Sequence, residues 1–485
     1  MFRLEEHYFS YIGLLGRSLQ PHIRSLKLHY ISKLLQLLTF RSISTHSDSS
    51  SCDTWQQGFT CRPKISQFWG QYSPYFRVPS DIPLGVPDQC QVTFVQALSR
   101  HGARDPTASK SHLYKETIEN VQAHATSYSR EYAFIKDFKY ALGSDQLSVF
   151  GQNQMINSGL QFYHRYQDLA RQGTPFIRAA SKARVVQSAQ NWTQGFHNGR
   201  LADTPSADDD YPYSIVVISE GAGQNNTLDH GLCTAFEDLY LGEGPQQQWA
   251  NIFVPSITGR LNQNLPGANL TDLDTISIMD LCPFITVANP TGQISPFCAL
   301  FTEEEWSSYN YFQSLGKYYG YGWGNPLGAT QGVGFTNELI ARLTATPVND
   351  HTSTNHTLDD SRDTFPVGGK TALYADFTHD NDLTGIFSAM GLYNETRPLS
   401  NDTFQDINET KGYSAAWTVP FASRAYFEKM ICAGQEEEYV RVVVNDRVLP
   451  LTTCGGDELG RCSLSAFVDG LSFARSGGNW DECFI

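Results

Sequence analysis

The segment from Arg100 to Thr107 combines the residue types that displacement at a phosphate ester requires. It reads Arg-His-Gly-Ala-Arg-Asp-Pro-Thr. A phosphate monoester is anionic and repels nucleophiles, so fixed cations must surround its oxygens, and arginine presents a planar, permanently charged fork that matches them. A histidine between two arginines can attack phosphorus and carry the phosphoryl group as a phosphohistidine. We predict that His101 is the nucleophile, that Arg100 and Arg104 bind the phosphoryl group, and that Gly102 lets the backbone approach the ligand.

The charge balance argues against nucleic acid as a partner. The chain has 35 Lys and Arg against 50 Asp and Glu, a net charge of −15, and no Lys/Arg-rich run. Binding to a nucleic-acid backbone needs a basic footprint. A small anionic substrate is also repelled at neutral pH, but protonation of the 13 His, and then of carboxylates, removes most of that charge. We therefore expect an anionic small-molecule substrate and acidic working conditions.

The sequence indicates neither a membrane segment nor a cofactor. No stretch approaches the roughly 18 apolar residues of a spanning helix, so we expect a mature protein that is soluble and not bound to a membrane. It has no HExxH motif, no EF-hand loop and no clustered Cys/His spacing. We predict no metal and no cofactor, and we expect a monomer.

Ten Cys and seven N-x-S/T sequons favour the secretory pathway and an extracellular protein. An even number of cysteines without metal-type spacing predicts disulfides. Three pairs lie close in sequence: Cys52 with Cys61, Cys282 with Cys298, and Cys454 with Cys462. The remaining four, Cys90, Cys233, Cys432 and Cys483, allow three pairings. The sequons are at Asn191, Asn225, Asn269, Asn355, Asn394, Asn401 and Asn408.

Residues 1–50 are predicted to be a leader and linker of an unusual kind. A standard signal peptide has an uninterrupted apolar run, whereas the candidate run from Leu26 to Phe40 is broken by Lys27 and Lys33. The segment from Ser42 to Ser51 is polar and typical of a linker. The folded unit is predicted to span residues 51–485.

Four short apolar runs end in polar residues and lead towards helical or loop segments, which predicts an α/β sheet. Ligands bind at the carboxyl ends of the strands in such sheets, where these polar residues fall. Asp376 lies inside a predicted strand and is interpreted as structural, and Asp382 has no motif to support it. The runs are Val92–Leu98 before Arg100 and His101, Phe176–Ala179 before Arg184, Ile215–Ser219 before Glu220, and Ala372–Phe377 before His379 and Asp380.

Other segments have different patterns. Residues 116–169 and about 236–343 look mostly helical and are broken by Gly/Pro turns. Residues 383–392 have helical apolar spacing. Residues 439–451 alternate around Asn445 and Asp446 and predict a hairpin.

The two polar motifs together resemble those of the histidine acid phosphatases. A lone Arg-His-Gly would more often be a basic surface turn, but six positions of RHGxRxPT match here, and His379-Asp380 supplies the downstream pair. The likeness covers roughly Cys52 to the carboxyl terminus. Several phrases resemble the fungal phytases in particular, which hydrolyse inositol hexakisphosphate. Those phrases are Trp69–Tyr72, Asn325–Gly328, Gly332–Gly334, Trp417–Arg424, Val444–Val448 and Gly470–Gly478.

The resemblance implies roles for further residues. His379 would bind phosphate and Asp380 would donate a proton to the leaving oxygen. Arg184 would be the third cation, with Arg178 and Lys182 as rivals. Thr107 would add a hydroxyl to the phosphate shell, and Lys110 would receive an outer phosphate. This chemistry needs a neutral His101 and a raised pKa of Asp380.

The resemblance also implies a fold and a disulfide pattern. The fold is α/β: a histidine-phosphatase lobe, like that of the phosphoglycerate mutases, with a mainly α-helical inserted lobe and the site between them. The α/β lobe would take about 51–116, 170–234 and 366–485, and the helical lobe about 117–169 and 235–365. Beside the three local pairs, Cys90 would pair with Cys432 and Cys233 with Cys483.

Three departures from the phytase pattern bear on the substrate. Asp105 stands where relatives usually have Tyr, and Leu113 and Gln293 stand where they often have Lys. Weaker phytate binding would follow, with simpler monoesters tolerated. A broad-specificity acid phosphatase of the same mechanism is therefore the main alternative. A phosphoryl-transfer mutase and a non-catalytic secreted glycoprotein are the others.

Overall fold

The computed structural model describes residues 52–203 and 211–484, and within them eight strands form one mixed sheet. The predicted leader and linker at 1–50 lies outside the described residues. The strands are β1 Cys90–Arg100, β2 Phe176–Ala180, β3 Ile215–Ile218, β4 Leu373–Thr378, β5 Arg424–Cys432, β6 Tyr439–Val444, β7 Arg447–Val448 and β8 Arg461–Ser463. Their order is β3-β2-β4-β1-β5-β6-β7, and β8 pairs with β6.

The sheet is parallel at its centre and antiparallel on one side. Strands β3, β2, β4 and β1 run parallel, so their carboxyl ends meet at one edge. Strand β5 then pairs antiparallel with β1, and β6 with β5. The four predicted strands correspond to β1 to β4 with small shifts at their ends. The strand β5 was not predicted.

Eight helices of ten residues or more accompany the sheet in the described ranges. They are α1 Ala108–His124, α2 Val149–Arg165, α3 Ala183–Asp203, α4 Glu243–Asn264, α5 Asp272–Ala288, α6 Glu303–Tyr321, α7 Val333–Thr344 and α8 Asp380–Ala389. Shorter α-helical turns are Pro63–Ser66, Gln167–Ala170, Thr234–Asp238, His356–Asp359, Ala415–Thr418, Leu464–Gly470 and Ser472–Arg475. Turns of 3₁₀ helix are Gly70–Tyr72, Arg130–Asp137, Pro296–Leu300, Ala329–Gly332, Thr452–Cys454 and Trp480–Phe484. None of the described helices has the length and apolar character needed to cross a bilayer.

Local sequence explains where helices α5 and α6 begin. Each starts with a capping box, which consists of two reciprocal hydrogen bonds. The hydroxyl of a Thr accepts from the backbone N–H of the acidic residue three positions later. The carboxylate of that acidic residue accepts from the backbone N–H of the Thr. The pairs are Thr271 with Asp274 for α5, and Thr302 with Glu305 for α6. These two starts fix the helices that form one wall of the site described below.

Two buried apolar clusters hold these elements together. One lies on the sheet and includes Val95 and Phe377 from β1 and β4. The other lies among the helices and includes Phe284 of α5 and Trp306 of α6. Helices α2 and α7 contribute to the sheet cluster, although the predicted boundaries put both in the helical lobe. Their apolar faces cover the sheet, and sequence periodicity does not show which partner such a face meets.

Two further predictions of local structure are confirmed. The hairpin joins β6 to β7, and its turn residues Asn445 and Asp446 have φ of 50° and 65°, as a tight two-residue turn requires. All ten cysteines form disulfides. The pairs are Cys52–Cys61, Cys90–Cys432, Cys233–Cys483, Cys282–Cys298 and Cys454–Cys462.

Asp376 of β4 belongs to a buried ion network, which confirms its structural interpretation. Its Oδ2 lies 2.8 Å from Arg178 Nη2 and 2.7 Å from Arg342 Nη1, and Arg178 also contacts Glu338 at 2.5 Å. Burial opposes ionisation of Asp376, but the two arginines hold its pKa below the usual value. The network anchors the strand that carries His379 at its end.

Removal of the Asp376 carboxylate should destabilise the protein strongly. Asp376→Ala leaves two buried arginines short of a counter-charge, a cost of about 3–5 kcal/mol. We expect thermal unfolding several degrees below that of the wild type. The control is Asp363→Ala, which removes an exposed carboxylate from the loop before β4. Equal unfolding temperatures for the two variants would contradict the role given to the network.

Candidate active site

The parallel pairing of β1 and β4 brings the two sequence motifs together. Arg100 and Thr378 are partners at the carboxyl ends of these strands, so the residues that follow them emerge side by side. The backbone N–H of His101 donates to the carbonyl oxygen of Thr378 at 3.0 Å. The rings of His101 and His379 lie 5.4 Å apart between centroids. Residues almost 280 positions apart in the chain thus form one site.

His101 is held as a neutral imidazole with a defined tautomer. Burial, together with the charge of Arg100, lowers the pKa of His101 well below its usual value. Its Nδ1 lies 2.8 Å from the carbonyl oxygen of Gly102, which can only accept, so Nδ1 carries the proton. The lone pair is therefore on Nε2. A neutral ring with a free Nε2 lone pair is the form that can attack phosphorus.

Arg100 is oriented by backbone carbonyls and an aromatic ring. Its Nη1 donates to the carbonyl oxygen of Val419 at 2.7 Å and also to that of Gln71. Its guanidinium carbon lies 4.6 Å from the centroid of the Phe421 ring. These contacts orient a fully buried guanidinium, whose Nε and Nη2 have no hydrogen-bond acceptor among the described residues and whose Nη2 faces the carboxylate of Asp380.

Arg104 and Arg184 approach the same place from other elements. Arg104 Nη1 donates to the carbonyl oxygen of Asp105 at 2.7 Å. Arg184 lies in the first turn of α3, and its Nη2 is 3.4 Å from His379 Nδ1. The Nε atoms of Arg100, Arg104 and Arg184 are buried without an acceptor among the described residues. One buried and two partly buried guanidinium groups, each with a buried Nε–H that has no acceptor among the described residues, constitute a site for an anion.

Asp380 has an electrostatic environment opposite to the expected one. Its Oδ1 lies 3.1 Å from Arg100 Nη2, and its Oδ2 forms an ion pair with Lys317 of α6. Burial favours the protonated acid, but Arg100 and Lys317 outweigh it and hold the pKa of Asp380 well below the usual value. The expectation of a raised pKa is therefore wrong for the protein by itself, because the sequence does not show Lys317 beside Asp380.

The other predicted residues also line this cavity, which has a volume of about 720 Å³. The Thr107 hydroxyl lies 3.4 Å from Ser109 Oγ at the start of α1. Lys110 Nζ lies 2.9 Å from Asp280 Oδ2, and this pairing raises the pKa of Lys110 although burial opposes its charge. Several further residues line the cavity, although the sequence analysis missed them or gave them no role. They include Gln71, Tyr72, Lys182, Glu220, Asp229, His230, Tyr240, Asp280, Lys317 and Asn381.

Three sequence interpretations change in the structure. Gly102 makes room for a helix and not for a ligand, because a Cβ there would collide with the carbonyl oxygen of Gly151 in α2. Asp105 is half-buried and accepts from the backbone of Gly143, and it is not among the residues that line the cavity. Gln293 is exposed and also outside that lining. Leu113 does line the cavity, so it is the departure that bears on substrate binding.

Of the rivals to Arg184, Arg178 belongs to the buried network and Lys182 lines the cavity. Position therefore favours Arg184 over Arg178. Lys182 remains a neighbour of the site from the turn before α3. The spacing from Arg100 and the flanking phrases of the sequence also favour Arg184, although all three residues fall within seven positions.

A group of ionisable residues behind His379 adjusts the charge of the cavity. Burial, and then the charge of Asp382, raise the pKa of Asp229 to about 6. Burial opposes the charge of His230, but Asp382 and Glu237 raise its pKa to about 9. Below pH 6 Asp229 becomes neutral while His230 stays cationic. The cavity therefore loses negative charge under acidic conditions, which favours binding of an anion.

At this edge of the sheet, a cluster of anion-binding groups surrounds a neutral imidazole. This arrangement is typical of phosphoryl-transfer proteins that use a histidine. The model of the histidine phosphatase superfamily (branch 2) matches residues 91–445, and the chain belongs to that family. The resemblance seen in the motifs and the expected α/β fold class are thus confirmed.

Several fungal proteins named Phytase A are similar to this chain over most of their length. The one from Aspergillus oryzae is 52% identical over 445 residues, which are 91% of this chain and 95% of the relative. The one from Emericella nidulans is 53% identical over 438 residues, covering 90% and 94%. The one from Neurospora crassa is 46% identical over 484 residues, covering 90% and 95%.

Solved structures support the fold. The phytase from D. castellii matches with a TM-score of 0.71 at 24% identity, covering 86% of this chain and 87% of that one. The multiple inositol polyphosphate phosphatase of Bifidobacterium longum, in complex with inositol hexasulfate, matches with a TM-score of 0.61 at 14% identity, covering 84% and 98%.

Proposed function

We propose that this protein hydrolyses inositol hexakisphosphate, releasing inorganic phosphate through a phosphohistidine on His101. The observation that carries the proposal is the neutral His101 with its lone pair on Nε2, close to Arg100, Arg104 and Arg184, whose Nε–H donors have no acceptor among the described residues. The fungal relatives named Phytase A, at 52–53% identity over nine-tenths of the chain, support the choice of substrate.

The reaction takes two displacements at phosphorus. In the first, Nε2 of His101 forms a bond to phosphorus as the bond to the ester oxygen breaks, and Asp380 protonates that oxygen. In the second, water attacks the phosphohistidine, its proton returns to Asp380, and the P–N bond breaks. Arg100, Arg104, Arg184 and His379 bind the phosphoryl oxygens in both steps, while Thr107 and Lys110 contact the substrate.

Binding of the substrate raises the pKa of Asp380, which is low in the protein alone. Arg100 and Lys317 hold the carboxyl ionised. A phosphoryl group bound to Arg100 adds negative charge beside Asp380 and compensates that guanidinium, and both effects raise the pKa of the carboxyl. Asp380 then becomes a proton donor when an ester is bound.

We further propose that the protein is secreted, glycosylated and monomeric. Five disulfides suit an oxidising compartment. Three of the seven sequon asparagines are exposed and the other four are partly buried, which is compatible with glycosylation. The predicted division into an α/β lobe and a helical lobe also stands as a proposal.

Phosphate release from inositol hexakisphosphate tests the proposed function. We expect kcat/KM at pH 5 to exceed kcat/KM at pH 7.5 severalfold, because Asp229 is neutral at the lower pH and the cavity repels the substrate less. The assay measures inorganic phosphate at substrate concentrations below KM. A protein that releases phosphate from 4-nitrophenyl phosphate but not from inositol hexakisphosphate would refute the choice of substrate.

A second candidate is a broad-specificity acid phosphatase, and one observation favours it. Two lysines of the cavity, Lys110 and Lys317, already have carboxylate partners in Asp280 and Asp380. Leu113 offers no charge in the same wall. Fewer free cations remain for outer phosphates, which lowers the advantage of a highly phosphorylated substrate. A kcat/KM for 4-nitrophenyl phosphate equal to that for inositol hexakisphosphate would favour this candidate.

A further inference from the structure

Glu220 connects two of the proposed phosphate ligands. It follows β3, and its side chain is only 4% exposed. Its Oε2 lies 3.1 Å from His379 Nε2, at the end of β4. Its Oε1 accepts from the backbone N–H of Lys182 at 2.6 Å, two residues before Arg184. One carboxylate therefore holds the ring of His379 and the first turn of the helix that carries Arg184.

The contact with Glu220 determines which nitrogen of His379 faces the site. An ionised carboxylate only accepts hydrogen bonds, so Nε2 of His379 must carry a proton. Burial opposes ionisation of Glu220, but the hydrogen bond with His379 holds the pKa of Glu220 below its usual value. The other nitrogen, Nδ1, lies 3.4 Å from Arg184 Nη2. A neutral His379 accepts from Arg184 there, whereas a cationic His379 and Arg184 both donate, and their N–H groups can converge on one anionic oxygen.

Several charged groups act on His379 besides Glu220. Asp382 of α8 and Asp229 of the loop after β3 interact electrostatically with His379. Arg184 of α3 lies beside Nδ1, and His101 lies on the other side of the ring. Glu220 is the carboxylate for which the structure shows a direct hydrogen bond to the ring.

We propose that Glu220 is a positioning residue: its carboxylate keeps a proton of His379 on Nε2, so that Nδ1 faces the phosphoryl group beside Arg184, and it holds the turn that leads into the helix of Arg184. This inference rests on the proposed function. It adds an acidic residue with no assigned role to the machinery that recognises phosphate.

Glu220→Gln tests the proposal with inorganic phosphate as the probe. We expect the Kd of phosphate, measured by calorimetry at pH 5, to rise about tenfold, because the ring of His379 and the turn before Arg184 lose the group that orients them. In turnover, KM should rise by a larger factor than kcat falls. Glu220→Asp keeps the charge and should recover part of the loss. In ¹⁵N spectra of the wild type, His379 should carry its proton on Nε2.

The matched control is Glu243→Gln, which removes a carboxylate from the exposed rim of the same cavity. Its Kd should stay within about twofold of the wild type. Equal effects of Glu220→Gln and Glu243→Gln would overturn the proposal, as would a His379 that carries no proton on Nε2. If the wild type binds phosphate and Glu220→Gln weakens that binding, but the wild type hydrolyses no phosphate ester, the proposed function fails and the role of Glu220 stands.

Discussion

His101→Ala is expected to reduce phosphate release from any monoester by roughly 10⁵-fold. The attacking Nε2 is the one group in the proposed mechanism that forms a covalent bond to phosphorus. The arginines remain in the variant, so the Kd of inorganic phosphate should change by less than about tenfold. Single-turnover measurements with alkali-quenched protein should detect a phosphorylated wild type and no phosphorylated variant, because the P–N bond survives alkali and is hydrolysed in acid.

His164→Ala is the control for this variant, because it removes an exposed imidazole from helix α2, away from the cavity lining. It should retain the activity of the wild type. If His101→Ala kept more than about a hundredth of the wild-type rate, His101 would not be the nucleophile. Transfer of phosphate to added alcohols by the wild type provides an independent sign of the covalent intermediate.

Asp380→Asn is expected to separate substrates by their leaving groups. An alkoxide needs a proton as it leaves, so kcat for inositol hexakisphosphate should fall about 10³-fold. A nitrophenolate leaves readily without one, so kcat for 4-nitrophenyl phosphate should fall by less than about tenfold. The substitution also removes a negative charge beside Arg100, so KM should not rise for either substrate. Steady-state kinetics with both substrates give the comparison.

The two substrates serve as each other's control, because any general damage to the fold or to phosphate binding lowers both rates equally. A uniform loss would therefore contradict proton donation by Asp380. The pH dependence adds a second check. If the substrate raises the pKa of Asp380, the alkaline limb of kcat for inositol hexakisphosphate should disappear in the variant, since no titrating carboxyl remains at that position.

Sequence reasoning reached the chemistry because the reacting residues are contiguous in short motifs. Arg100, His101 and Arg104 lie within five positions, and the apolar runs before His101 and His379 identified the strand ends that carry them. The hairpin at Asn445 and Asp446 could also be predicted from the sequence, since a tight turn requires residues that tolerate positive φ. Strand β5 was missed because it carries Glu428 and Lys429, and Glu428 is buried only through its pairing with Arg165 and Arg441.

Only the tertiary structure decided which distant side chains surround the site. Lys317 and Glu220 come from α6 and from the loop after β3, and they set the ionisation of Asp380 and the tautomer of His379. Asp105 turns away to the backbone of Gly143 although it lies next to Arg104 in sequence. The physical reason is the same in each case. Local sequence determines residue type and secondary structure, whereas pKa and orientation depend on charges within a few ångströms, and the packing of separate elements determines these. Sequence alone thus identified His101 as the candidate nucleophile, and the fold decided what lowers its pKa and which groups surround it.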